Sequence, residues 1–138
     1  MTISKTELFK SLGAPLRNFR WSWGSVRSTD GVVFLRVWQN ETIDIENKTY
    51  IRLSLIAYFQ NNNPNNRGYK ERMAHVSLVA DGATTYMIMC EPKDVNVTPR
   101  TIKTFNSKEL FLGGQTLKID GDTWLEVKAK VPVDSIKL

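Results

Sequence analysis

Between residues 17 and 38 the chain sets Arg17, Arg20, Arg27 and Arg36 among Trp21, Trp23 and Trp38, three of its four tryptophans. Flat indole faces stack on nucleobases, and guanidinium groups bind phosphate through a planar fork of donors. The mixture suits a nucleic-acid contact surface. Asn18 lies within the run; its amide can pair with a base edge, although asparagine is also a standard turn residue. Ordinary packing is the competing reading, since tryptophans fill cores and arginine stems lie over apolar surface. The expected contact set is Arg17, Asn18, Arg20, Trp21, Trp23, Arg27, Arg36 and Trp38.

Other chemistries find less support. The chain has one histidine, His75, and one cysteine, Cys90. Together they cannot supply the nitrogen and sulfur ligands of a zinc site. Cys90 ends the apolar run Tyr86-Met87-Ile88-Met89-Cys90, a setting for an inert thiol rather than a nucleophile. No Gly-x-Ser-x-Gly elbow occurs. Gly113-Gly114 is not followed by Lys-Ser or Lys-Thr, so there is no phosphate-binding P-loop. Asp120, Asp122, Glu126 and Lys128 follow the short Asp…Glu-x-Lys spacing of metal-dependent nucleases, in which two acids hold the metal and a lysine orients water. The competing reading is a hairpin turn with a solvated strand face. Neither a cofactor nor a metal is expected.

The length of 138 residues fits one domain, residues 1–138, able to bury a core without staples. A net charge of +5 and a pI near 9.4 favour a polyanionic partner. A single cysteine excludes an internal disulfide. No apolar stretch reaches membrane-spanning length and the first residues lack a signal-peptide pattern, so a cytoplasmic protein with no membrane partner is expected.

The elements that must position these residues follow from punctuation and periodicity. Ser4 and Glu7 form a capping box that opens a helix, Leu8, Phe9 and Leu12 give its apolar stripe, and Gly13 with Pro15 ends it. Residues 19–24 alternate like a half-buried strand, which would place Trp21 and Trp23 on one face. Ser28-Thr29-Asp30-Gly31 is a hairpin turn leading to a strand over residues 32–38. Residues 43–55 hold a strand pair turning near Glu46-Asn47-Lys48. Residues 60–68 read as a polar loop, and residues 69–74 as a turn or two of helix. Residues 75–79 and 84–90 read as a second hairpin around Asp81-Gly82, followed by a loop over residues 92–100. Asn106 with Glu109 suggests a brief helix over residues 107–111. Residues 116–119 and 123–128 make a third hairpin around Asp120-Gly121. The fold class is α+β with β dominant: a single domain with a curled antiparallel sheet or small open barrel, and two or three short helices.

At Trp21-Ser22-Trp23-Gly24, Val33-Phe34-Leu35-Arg36-Val37-Trp38, Arg72-x-x-His75 and Phe105-Asn106, the chain resembles the N-terminal domains attached to some bacterial HNH-type endonucleases. The resemblance covers most of the chain and implies a DNA-reading module of the PUA-like or SRA-like sort, with a pocket for a modified or flipped base. It implies a reader without the nuclease, because the HNH motif needs several histidines. The expected function is a non-enzymatic nucleic-acid-binding module, on DNA rather than RNA, working beside a protein partner such as a separate nuclease in restriction–modification. One alternative is a protein-interaction accessory protein of a phage, plasmid or defence system. The other is the small metal-dependent nuclease at Asp122, Glu126 and Lys128.

Overall fold

The computed structural model describes residues 3–54, 56–93 and 102–137, the side chains of residues 56–58 excepted. The first helix, α1 (Lys5–Ser11), forms as its punctuation dictates. The Ser4 hydroxyl accepts from the Glu7 amide at 3.1 Å, and the Glu7 carboxylate accepts from the Ser4 amide. At the other end Gly13 takes φ of 77°, its N–H reaches the Lys10 carbonyl, and the Ala14 N–H reaches the Phe9 carbonyl. That pair of bonds closes the last turn of a helix on a left-handed glycine.

The next elements are β1 (Gly24–Val26), β2 (Val33–Trp38), β3 (Thr42–Ile45), β4 (Lys48–Arg52), α2 (Ile56–Asn62) and α3 (Arg67–Ala80). They are followed by β5 (Thr85–Pro92), β6 (Ile102–Phe105), β7 (Glu109–Ile119), β8 (Asp122–Pro132) and a 3-10 turn, Val133–Ser135. The expected loop over residues 92–100, Arg100 included, lies beyond Lys93 outside the described residues. All eight strands join one open sheet in the order β1-β2-β5-β7-β8-β4-β3, with β6 on β5. The β-dominant α+β class holds.

Several local expectations are corrected. Residues 19–23 are not strand; β1 starts only at Gly24. The Ser22 N–H donates to the Asn18 carbonyl, the Asn18 N–H to the Ser22 hydroxyl, and the Arg20 N–H to the Asn18 side chain. These local bonds give the backbone an alternative to a ladder. The sheet is mixed rather than antiparallel, because β2 and β5 run parallel from Val33↔Thr85 to Trp38↔Cys90. The crossover between them carries the β3–β4 hairpin and both α2 and α3.

His75 to Val79 is not a strand. Gly68, Arg72, His75, Val76 and Val79 form the buried stripe of α3, and two polar residues in that stripe break the apolar period. Asp81-Gly82 is the end of this helix, not a hairpin turn. The Gly82 N–H meets the Val79 carbonyl, and the Ala83 N–H meets the Leu78 carbonyl. The polar loop shrinks to residues 63–66, since α2 runs to Asn62 and Asn66 caps α3 by accepting from the Tyr69 N–H. Asn106 caps no helix: its side chain accepts from the Lys108 and Glu109 amides, and β7 begins at once.

Alternation along β2 divides the core. Phe34 faces α1, packing with Leu8, Phe9, Leu12, Ile88 and Leu110. Val33, Leu35 and Val37 face α3, packing with Val76, Val79, Met87 and Leu125. Arg72, in the buried stripe of α3, is 5% exposed. Its guanidinium donates to the carbonyls of Leu53, Trp23 and Arg36, which end β4, precede β1 and belong to β2. Burial pushes its pKa down to about 9, so it stays charged at neutral pH.

Lysine carries the same charge on one rotating point and cannot reach three fixed carbonyls with a planar fork. Arg72→Lys is therefore expected to lower the unfolding free energy by about 2–3 kcal/mol, the cost of leaving charge-assisted bonds unmade, as read by urea titration.

Candidate functional site: a basic cleft beside α3

An open cleft of about 640 Å³ lies between the chain from Pro15 to Val26 and one side of α3. Arg17, Trp21 and Ser25 line it from the first segment, and Arg67, Lys70, Ala74 and His75 from the helix. Helical spacing brings Arg67, Lys70 and Ala74 to one side, and the small Ala74 leaves that wall low.

Two consecutive helix residues hold the opposite wall. The Glu71 carboxylate accepts from the Ser22 hydroxyl at 2.9 Å and from the Trp23 N–H at 3.1 Å. Arg72 takes the Trp23 carbonyl at 3.0 Å. The Trp23 ring packs 5.5 Å from Phe59 and lies close against Gly68, where an added Cβ would sit 2.4 Å from the indole. Both backbone polar groups and the ring of Trp23 are thus fixed. Trp21, two residues earlier, is half-buried in the cleft wall, and its indole N–H has no hydrogen-bond partner among the described residues.

The cleft is rich in uncompensated positive charge. Among the described residues, Arg17, Arg67 and Lys70 make no ion pair. Glu71 is the one acid in the lining, and both its oxygens are engaged. The first turn of α3 has no acid, whereas α1 places Glu7 at its start and Lys10 at its end. Cations at a helix N-terminus oppose the helix dipole, an arrangement that a bound anion relieves.

His75 lines the cleft beside Gly24; a Cβ at Gly24 would sit 3.3 Å from its Nδ1. Burial, and then the Arg72 charge, push its pKa down to about 4, so the ring is neutral at pH 7. Cys90 lies in the α1-facing core, across the sheet from His75, and burial pushes its thiol up to about 11. No cysteine–histidine pair forms.

The expected contact residues separate. Arg17 and Trp21 meet in the cleft. Arg20 is exposed nearby, its guanidinium 5.4 Å from the ring of Phe19, which is 62% exposed. Asn18 shapes the turn, and Trp23 anchors it. Arg27 is buried and donates to the Asp30 carboxylate and to the Leu12 and Ile136 carbonyls. Arg36 and Trp38 belong to the α1-facing side of the sheet. The single recess of three indoles does not form, because β1 begins after two of them and β2 turns the third away. Arg67 and Lys70 are the functional candidates that sequence reasoning missed, and His75, weighed there without a place in the contact set, joins them in the lining. Their i, i+3 and i+8 spacing was the available signal, hidden by reading residues 75–79 as a strand.

The acids at the third hairpin also stay apart. Asp122 accepts from the Ser54 hydroxyl and lies 3.9 Å from Arg52, while Glu126 accepts from the Gln115 N–H. The two are about 13 Å apart along the strand at 3.3 Å per residue. Among the described residues no three metal-ligating side chains gather. No described helix is long and apolar enough to cross a membrane.

No family model, curated protein or solved structure matches the chain.

His75 gives the cleft a pH signature. With a folded pKa near 4 and an unfolded value near 6.5, the unfolded chain takes up the proton first as pH falls. This contribution to stability is full above pH 6.5 and is lost on descending from 6.5 to 4, by about 3 kcal/mol in all. His75→Gln is expected to flatten that part of the pH profile of the urea midpoint; an unchanged profile would show that the ring titrates freely in the folded state.

Proposed function

We propose that the chain is a non-enzymatic nucleic-acid-binding module whose cleft receives one base against Trp21. Arg17, Arg67 and Lys70 hold the flanking phosphates, and Arg20 extends the positive rim. The observation that carries this reading is the set of three cations without an ion pair among the described residues, drawn from two chain segments, around a half-buried indole in an open cleft. The volume of about 640 Å³ falls within the range of small-molecule pockets and has room for a nucleobase with its sugar.

A base reaches such a recess only from a single strand or after leaving a duplex stack, which costs least where the base is damaged, mismatched or already unpaired. That selectivity, together with the resemblance to DNA-reading domains, supports a reader of a modified or flipped base in DNA. The chemistry asked of the protein is stacking plus charge neutralisation, and neither needs a group that titrates near pH 7.

Tryptophan fluorescence titrations with single-stranded and duplex oligonucleotides, with and without a modified base, test the reading. Three phosphate contacts give a slope of log K against log salt between about −2 and −3. Arg67→Glu with Lys70→Glu is expected to weaken binding by roughly 10- to 100-fold and to reduce the slope by about 1.5 to 2. Trp21→Ala should remove about 1–3 kcal/mol of stacking. Absence of measurable affinity at low salt, or indifference to the double charge reversal, would sink the proposal.

A further inference from the structure

Lys5 occupies a position its helix reserves for core residues. Lys5, Leu8, Phe9 and Leu12 fall at i, i+3, i+4 and i+7; the last three are fully buried and Lys5 is half-buried. The α1-facing side of β2 presents Phe34, Arg36 and Trp38 in turn. Phe34 is in the core that α1 covers, and Trp38 packs at its margin. Arg36 stands opposite Ile88 and Trp38 opposite Cys90 on β5. Lys5 and Arg36 thus come from two elements packed on one layer, close enough for the Arg36 charge to act on Lys5, and the Arg36 guanidinium lies 5.9 Å from the centre of the Trp38 ring.

Arg36 differs from the other arginines that the fold covers. Arg27 spends its donors on a carboxylate and two carbonyls, Arg72 on three carbonyls, and Arg52 lies beside Glu41 and Asp122. The half-buried guanidinium of Arg36 has no hydrogen bond or ion pair among the described residues, and neither has the Lys5 ammonium. Burial lowers both pKa values, and the Arg36 charge lowers that of Lys5 further. The acid that acts on Arg36, Glu71, is already bound to Ser22 and Trp23, and the neighbouring Cys90 thiol is neutral at pH 7.

We propose that Lys5, Arg36 and Trp38 form a binding site for a phosphoryl oxyanion, separate from the cleft and across the sheet from it. A guanidinium fork and an ammonium together offer two positive charges, matching a dianion, whereas a carboxylate would leave one charge uncompensated. The indole face supplies a flat wall for whatever carries the phosphoryl group. The proposal does not depend on nucleic acid entering the cleft. A free phosphorylated compound and a polymer backbone present the same chemistry, and the test separates them.

The test follows the arginine Nε–H and tryptophan Nε1–H resonances of the ¹⁵N-labelled chain at pH 7, during titration with sodium phosphate and, separately, with sodium chloride at matched ionic strength. Signals removed by Arg36→Gln and Trp38→Phe assign the site. Saturable shifts of these signals with phosphate alone, weakened at least several-fold in Lys5→Gln, support it and assign a free phosphoryl ligand. Shifts produced by a short oligonucleotide but not by phosphate support it with the polymer as source. Lys5 is half-exposed at the first turn of α1, so Lys5→Gln carries the comparison if Arg36→Gln does not fold. Phosphate shifts identical to those with chloride, with no response to the oligonucleotide, would overturn the site. So would phosphate shifts confined to Arg17 and Arg67, an outcome that would leave the cleft reading standing. Retention of the Arg36 response in the Arg67→Glu, Lys70→Glu protein is expected, because the two groups lie on opposite faces.

Discussion

One buried guanidinium joins the parts of this molecule that sequence distance keeps apart. Arg72 ties the end of β4, the entry to β1 and the middle of β2 to α3 through three main-chain carbonyls. Removing a full charge from water is costly; three carbonyls offset that cost here, while the Arg72 Nε–H finds no acceptor among the described residues. Once the fork is in place, however, few other arrangements of these segments can satisfy it. The parallel pairing of β2 with β5 needs α3 laid across the sheet, and Arg72 is where that crossover is fastened. Among the described residues no carboxylate forms an ion pair with this guanidinium. Its partners are carbonyl dipoles, which fixes direction more strictly than a flexible acid would.

The fastening also places the cleft. Glu71 and Arg72 grip the N–H and C=O of Trp23 from adjacent helix positions, and Gly68 lets the indole lie against the helix backbone. Trp23 is thereby withdrawn from any contact surface. In return, the turn from Asn18 to Ser22 becomes rigid enough to hold Trp21 at the wall. The two tryptophans of one short motif divide the work: one is structural, and the other borders the open space. The same local economy leaves the basic start of α3 without an acid of its own, since Glu71 is committed to the turn.

Part of this was legible from the residues. The capping box at Ser4 and Glu7 and the glycine stop at Gly13 read correctly because both signals are local and physical. The Asp-Gly pairs were only partly informative. Asp30-Gly31 and Asp120-Gly121 turn hairpins, but Asp81-Gly82 closes a helix, and a glycine with positive φ serves either end equally well. The helix before it was read only as a turn or two over residues 69–74 and cut short at His75, because Arg72 and His75 sit in the buried stripe, where pattern reading expects apolar residues. Parallel pairing left no mark on the sequence. For the site, Arg17 and Trp21 were legible as chemistry. Arg27 was not, although its partner Asp30 lies only three residues away. Arg67 and Lys70 acquire meaning only once a helix sets their spacing.

The two margins of the open sheet have different characters. β1 is three residues long, so it presents little free backbone on that side. β3, at the other margin, is four residues long, with Asp44 exposed and Glu46 just beyond it. Short outer strands bearing acids are poor templates for further strand addition. A second copy arriving at β3 would bring the same acids into register, so the sheet resists growing into a ribbon at high concentration even though it never closes into a barrel.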